Sequence, residues 1–131
     1  MNSHVMRATL RVTKALSDIQ RLRILMMLRV GELCVCQIIA VLGLAPSTVS
    51  KHLSILSAAD LVVSRKEGRW AHYQLPQGAM LKAAKPVLKW LEESLAHDDL
   101  IAKDGKKLQE ALDCSPRQLI ERQGRGMTCK S

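Results

Sequence analysis

The chain reads as a mainly α-helical protein with one small β-hairpin, and three observations predict this. Apolar residues recur at helical spacing along most of its length, as in Val49, Leu53 and Leu56 at i, i+4 and i+7. One departure from that pattern is a strand-like pair, 61–64 and 70–75, joined across Glu67-Gly68. The apolar share is 47%, yet it includes no Phe, one Tyr and two Trp, so the core must be Leu, Ile, Val, Met and Ala, which suits packed helices. A length of 131 residues suggests one domain with a modest core, which favours association.

In chain order, 1–4 is expected to be unstructured and Arg7 to Leu16 to be a helix with Leu10 on its apolar side. Ser17-Asp18 offers an N-cap for a second helix, Ile19 to Val30, which Leu22, Ile24, Leu25, Met27 and Leu28 mark as nearly all buried. Ile38, Ile39, Val41 and Leu42 give a third, short helix one apolar face, and Gly43 is placed to end it in a left-handed residue. Pro46 restarts the chain, with Ser47 able to cap a fourth helix.

The outer side of that fourth helix carries Ser47, Thr48, Ser50, Lys51 and Ser54, small hydroxylic or basic groups able to meet base edges and phosphates. His52 beside them reads as packing or DNA contact rather than a metal ligand. Two helices across a tight turn, then a hairpin with Arg65, Lys66 and Arg69 around its tip, make a winged helix-turn-helix. Its tip is placed to meet phosphates or the minor groove of double-stranded operator DNA.

Pro76 stops the second strand. Leu81, Ala84, Leu88, Leu91 and Leu95 then recur at spacings of 3 and 4, a coiled-coil-like seam in which Pro86 predicts a kink or a fresh start. One recognition helix per chain and this seam together point to a homodimer. The expected organisation is 1–97 as DNA-binding and dimerisation domain, and 98–131 as a partly flexible extension. A break is expected near 98–105 and a short helix at 107–112.

Charge follows the same division. Residues 1–97 hold thirteen Lys and Arg against six Asp and Glu, while 98–131 hold seven against six. The positive charge thus lies with the proposed DNA-binding elements, which favours a polyanionic partner. No run of 18 apolar residues and no apolar leader is found, so a cytoplasmic protein with no membrane partner is expected. Four cysteines there read as thiols or metal ligands rather than a disulfide framework. With no Gly-rich phosphate loop, HExxH or nucleophile elbow, neither an enzyme nor an organic cofactor is expected.

The stretch LCVCQI followed by LGLAPSTVSKHLSILSAADLVVSRKEGRWAHYQL resembles the arsenic-repressor (ArsR/SmtB) family of bacterial metal-sensing repressors. That resemblance implies a dimer built from the first and last helices, placing Leu10, Leu81, Ala84, Leu88, Leu91 and Leu95 in the interface. It also implies that Cys34 and Cys36 sense arsenite or antimonite, with release of DNA.

Thiolates suit thiophilic ions, but residues two apart on a regular helix point roughly 200° from each other. Binding one ion through both sulfurs is therefore expected to unwind the first turn of the third helix. Trivalent arsenic takes three thiolates. Ile38 and Ile39 stand where family members often carry the third, leaving Cys114, Cys129 or a small exogenous thiol. The last long helix offers Glu92, Glu93, His97, Asp98 and Asp99, and its single His does not meet a two-His zinc motif. Two other functions compete: a thiol-redox or persulfide-responsive winged-helix repressor, and a winged-helix protein-interaction module with no operator.

Overall fold

The computed structural model describes residues 3–121. Helices α1 (Ser3–Leu16) and α2 (Ile19–Met27) come first, with a 3-10 turn at Leu28–Val30. Strand β1 (Leu33–Cys34) leads into α3 (Val35–Leu42) and α4 (Pro46–Ala58). The hairpin β2 (Val63–Glu67) and β3 (Trp70–Gln74) follows, then α5 (Gly78–Ser94), α6 (Asp99–Leu112) and α7 (Pro116–Glu121). The fold is the expected mainly helical winged helix-turn-helix. No single described helix is long and apolar enough to cross a membrane.

Helix α2 sits at the centre and touches α1, α3, α4, α5 and α6. Its Ile24 and Leu25 pack in one buried cluster with Ile38 and Val41 of α3 and with Val49, Leu53 and Leu56 of α4. The Asp18 carboxylate caps α2, accepting from the N–H groups of Gln20 at 2.8 Å and Arg21 at 3.4 Å. Gly43 takes φ of 69° at the end of α3, a conformation that suits glycine, and lets α4 leave at 114° after a short turn.

The sheet holds a strand that the periodicity did not reveal. Its order is β1-β3-β2, all antiparallel, with Cys34 opposite His72 and Arg65 opposite the same His72. Glu67 pairs with Trp70, so the hairpin turn is Gly68-Arg69 rather than Glu67-Gly68. Arg65 and Lys66 consequently lie within β2.

Four other boundaries differ from expectation. Helix α1 begins at Ser3, ahead of Arg7. Helix α4 begins with Pro46 at its first position and Ala45 as N-cap, so Ser47 does not cap it. Helix α5 runs unbroken through Pro86, because Pro86 and Lys82, whose carbonyl it leaves unbonded, are both exposed. The expected break at 98–105 is instead the first half of α6, which the Asp98 carboxylate caps through the N–H of Ile101 at 3.1 Å.

Helix α6 is fastened to the body by a buried ion pair. Arg23 Nε and Nη2 donate to the two oxygens of Asp104, each at 2.9 Å, and Arg23 Nη1 donates to Gln20 Oε1 at 2.7 Å. Leu108 and Ala111 bury the same side of α6, which packs on α2 and α3. Removing one partner would strand a buried charge. Asp104→Ala is therefore expected to cost about 3–5 kcal/mol in urea unfolding, while replacing Arg23 and Asp104 together by apolar residues should cost distinctly less than the sum of the two singles. Additive losses would show that the pair is not coupled.

Candidate nucleic-acid interface and thiol site

Helix α4 turns Val49, Leu53 and Leu56 fully inward, which leaves Ser47, Thr48, Ser50, Lys51 and Ser54 exposed together. Because Ala45 is the cap, the Ser47 hydroxyl has no partner among the described residues. His52 does not share this outer face. Its Nδ1 lies 3.1 Å from Arg21 Nη1 and 3.9 Å from Asp18 Oδ1. A guanidinium only donates, so Nδ1 is the acceptor and a neutral His52 ring carries its proton on Nε2. Arg21 also donates to the carbonyls of Ala15 at 2.9 Å and Lys14 at 3.0 Å. The sequence left packing or DNA contact open for His52. The structure makes it a brace between α4 and the α1–α2 corner, because a buried arginine holds its ring.

The three wing cations differ. Lys66 is exposed with no partner among the described residues. The Arg69 guanidinium lies 5.5 Å from the Trp70 ring centroid, within reach of a cation–π contact. Arg65 is already engaged: its Nε meets both Glu32 oxygens at 3.0 and 2.9 Å, its Nη2 meets Glu32 Oε1 at 2.6 Å, and its Nη1 reaches Glu67 at 3.3 Å. The bond from Arg65 holds the Glu32 carboxyl below the usual glutamate value, and His72 adds a smaller pull in the same direction. Reciprocally, Glu32 raises Arg65 further.

Cys34 has extended backbone (φ −68°, ψ 145°) and is the N-cap of α3, while Cys36 lies within its first turn. The two sulfurs therefore meet, and the residues are joined as a disulfide across Val35 with a Cα–Cα distance of 5.3 Å. This corrects two expectations. The pair is not two free thiols, and the sulfurs reach each other with the helix intact because only Cys36 obeys helical geometry. Gln37 closes the junction by accepting the Cys34 N–H at 2.8 Å.

Cys114 is buried at the end of α6 and is not a free thiol. Cys129 lies outside the described residues. Among those described, no three His, Cys, Asp or Glu side chains converge on a metal position.

Of the seam, Ala84 and Leu91 are buried within the protomer's own core, while Leu81, Leu88 and Leu95 are half-buried. Among the described residues, the strongly exposed apolar side chains are Val5, Met6 and Leu10 on α1, Ile19 at the start of α2, Val30 just after it, and Trp90 on α5. The Glu32–Arg65 and Arg21–His52 contacts were missed from the sequence. Each spans more than thirty residues, and only the sheet register and the helix crossing bring the partners together.

A family model described as bacterial regulatory protein, arsR family, matches residues 18–64. The arsenical resistance operon repressor of Escherichia coli is 39% identical over 75 residues, 56% of this chain and 64% of that protein, so the chain spans a little under two thirds of it. The arsenic resistance transcriptional regulator ArsR1 of Pseudomonas putida is 37% identical over 112 residues, 79% of this chain and 85% of that protein. Among solved structures, HlyU from Vibrio cholerae superposes with a TM-score of 0.62 at 28% identity, covering 73% of this chain and all of that one.

The Glu32–Arg65 bond fixes a sign for pH. Glu32 is lowered in the folded chain, so its contribution is present above the unfolded glutamate value and lost as pH falls through the folded one. An NMR titration of the Glu32 carboxyl should give a midpoint below that of ordinary glutamates, and Arg65→Gln should raise it. An unchanged midpoint in the variant would assign the shift to another cause.

Proposed function

The chain belongs to the arsR family of bacterial regulatory proteins, and from that premise we propose that it is a dimeric repressor that leaves its operator when trivalent arsenic or antimony binds Cys34 and Cys36. The observation that carries this reading is the meeting of the two sulfurs at the head of α3, the first helix of the helix-turn-helix. Two sulfurs close enough to bond to each other can also be bridged by one thiophilic ion. In the reduced pair, arsenous acid condenses with the two thiols, forming two As–S bonds and expelling two waters. With the other cysteines also reduced, a third sulfur from Cys114 or Cys129, or one from a small thiol, would complete the coordination. The naming of the Escherichia coli and Pseudomonas putida relatives for arsenic resistance supports the choice of effector.

On the DNA side, α4 offers its exposed hydroxyls and Lys51 to the major groove, and its uncapped N-terminus suits a phosphate. Lys66 and Arg69 supply backbone contacts from the wing. Val5, Met6 and Leu10 of α1, with the half-buried leucines of α5, are the apolar surface a second copy would cover. Paired copies would read half-sites about 34 Å apart. Residues 1–97 would carry DNA binding and pairing, with α6 bracing them.

A redox reading has its own support in the Cys34–Cys36 disulfide. Oxidation of the dithiol would hand two electrons and two protons to a cellular oxidant, and that change alone would alter DNA affinity.

Operator release separates the two readings. Reduced wild-type protein should release on arsenite, and the oxidised form should not respond, because a disulfide offers no thiolate. Cys34→Ser and Cys36→Ser should each keep operator affinity and lose the arsenite response, since Ser is a poor ligand for a thiophilic ion. Normal arsenite release by either variant would refute the site. Release of the reduced protein by diamide but not by arsenite would favour the redox reading.

Wing and helix should divide the DNA work. Lys66→Ala is expected to reduce the log–log salt slope by about one while preserving base preference, and changes at Thr48 or Ser50 should alter the preferred bases. Measured binding over a salt series on operator and mutated operator checks both.

A further inference from the structure

We propose that the wing is the element the cysteine pair moves, and that the Glu32–Arg65 ion pair is the positioning contact coupling the two. The proposal rests on Cys34 and Cys36 being the effector site.

Three observations support it. First, Cys34, His72 and Arg65 stand in one row across the sheet, so the sensor residue is two strands from the wing's outer strand. Directly opposed residues in a sheet are close neighbours, and a shift in one is felt by the next.

Second, the two sulfurs are held unequally. Both residues are equally buried, but Cys36 lies within α3 whereas Cys34 belongs to a strand of two residues. In the reduced protein, drawing two separate thiolates onto one ion must move a sulfur, and the movement falls on the Cys34 side.

Third, β1 pairs with β3 through two residue pairs, while β2 and β3 share five. A displaced β1 could therefore peel away and leave the hairpin where it was. Glu32 opposes this. Its carboxylate, two residues ahead of Cys34, grips Arg65 of the far strand by a forked contact that bridges over β3. With that strap in place, β1 carries the hairpin with it. Arg65 then acts through Glu32 and the sheet rather than on a phosphate, unlike Lys66.

The test uses the full chain, reduced, with arsenite as the effector and operator DNA. Glu32→Gln, Arg65→Gln and the reversed pair Glu32→Arg with Arg65→Glu are compared with wild type. Arsenite binding without DNA, followed by loss of titratable thiols, should be unchanged in all. The ratio of operator Kd with and without arsenite should fall about tenfold in each single variant, within the range of ordinary coupling energies, and largely return in the reversed pair. Arg65→Gln should leave the salt slope unchanged.

An unaltered ratio in Glu32→Gln, a reversed pair that restores nothing, or a salt slope reduced by one in Arg65→Gln would each overturn the proposal. Amide hydrogen exchange gives a readout free of DNA. Residues 63–67 and 70–74 should change protection on arsenite binding in wild type and change less in Glu32→Gln. A wing whose exchange ignores arsenite in wild type also overturns it. If wild type itself is not released by arsenite, the effector reading fails and this proposal with it. If wild type and Glu32→Gln are released alike, the effector site stands and the strap alone is refuted.

Discussion

The structure turns on a change of backbone at a single residue. Cys34 is extended and Val35 begins a helix. Had the helix begun one turn earlier, the sulfurs of Cys34 and Cys36 would point away from each other and β1 would not exist. Because the switch falls between them, the same two residues close a sulfur pair, cap α3 and supply a strand to the wing's sheet. The Gln37 side chain, accepting the Cys34 N–H, holds the switch where it is.

Helix α2 provides the frame around that junction. Two of its arginines, Arg21 and Arg23, lie two residues apart and so leave the helix in nearly opposite directions. Arg23 reaches Asp104 of α6, and Arg21 reaches the end of α1 and His52 of α4. Burying two guanidinium groups would be costly if any donor were stranded. Among the described residues no buried side-chain nitrogen or oxygen lacks a partner. The arginines thereby fix where α1, α4 and α6 sit relative to one core helix, which apolar contact alone would leave less specific.

Much of this was legible in the sequence because it is local. The helical spacing of Val49, Leu53 and Leu56, the cap at Asp18, the left-handed Gly43 and the alternating hairpin each depend on neighbours within a few residues. Three features were not legible, for a common reason. A two-residue strand has no period to detect, so Cys34 was assigned to a helix and given the wrong geometry. The partners of Arg65 and His52 are set by register and crossing angle, so both looked like free cations or DNA contacts. The first half of α6 looked like a break because Asp98, Asp99, Asp104 and Gly105 are weak helix formers. A cap at Asp98 and a buried arginine opposite Asp104 outweigh that propensity.

Magnitudes favour the sheet over the helix as the route out of the sulfur pair. Moving a repressor from nearly all bound to nearly all free takes about 5.5 kcal/mol of differential effector affinity. Unwinding the first turn of α3 would sacrifice about three or four backbone hydrogen bonds, each worth roughly 1 kcal/mol net, and would disturb buried Cys36 and Ile38 as well. That would consume most of the available free energy before any DNA contact changed. Displacing β1 also disturbs buried residues, Leu33 and Cys34, but it puts at risk only two residue pairs and one exposed ion pair, and if the ion pair holds, the hairpin moves without breaking either. Exposed pairs of this kind contribute little to stability. A weak contact is nonetheless sufficient for the proposed coupling, because its task there would be to keep two strands in step rather than to hold the fold together.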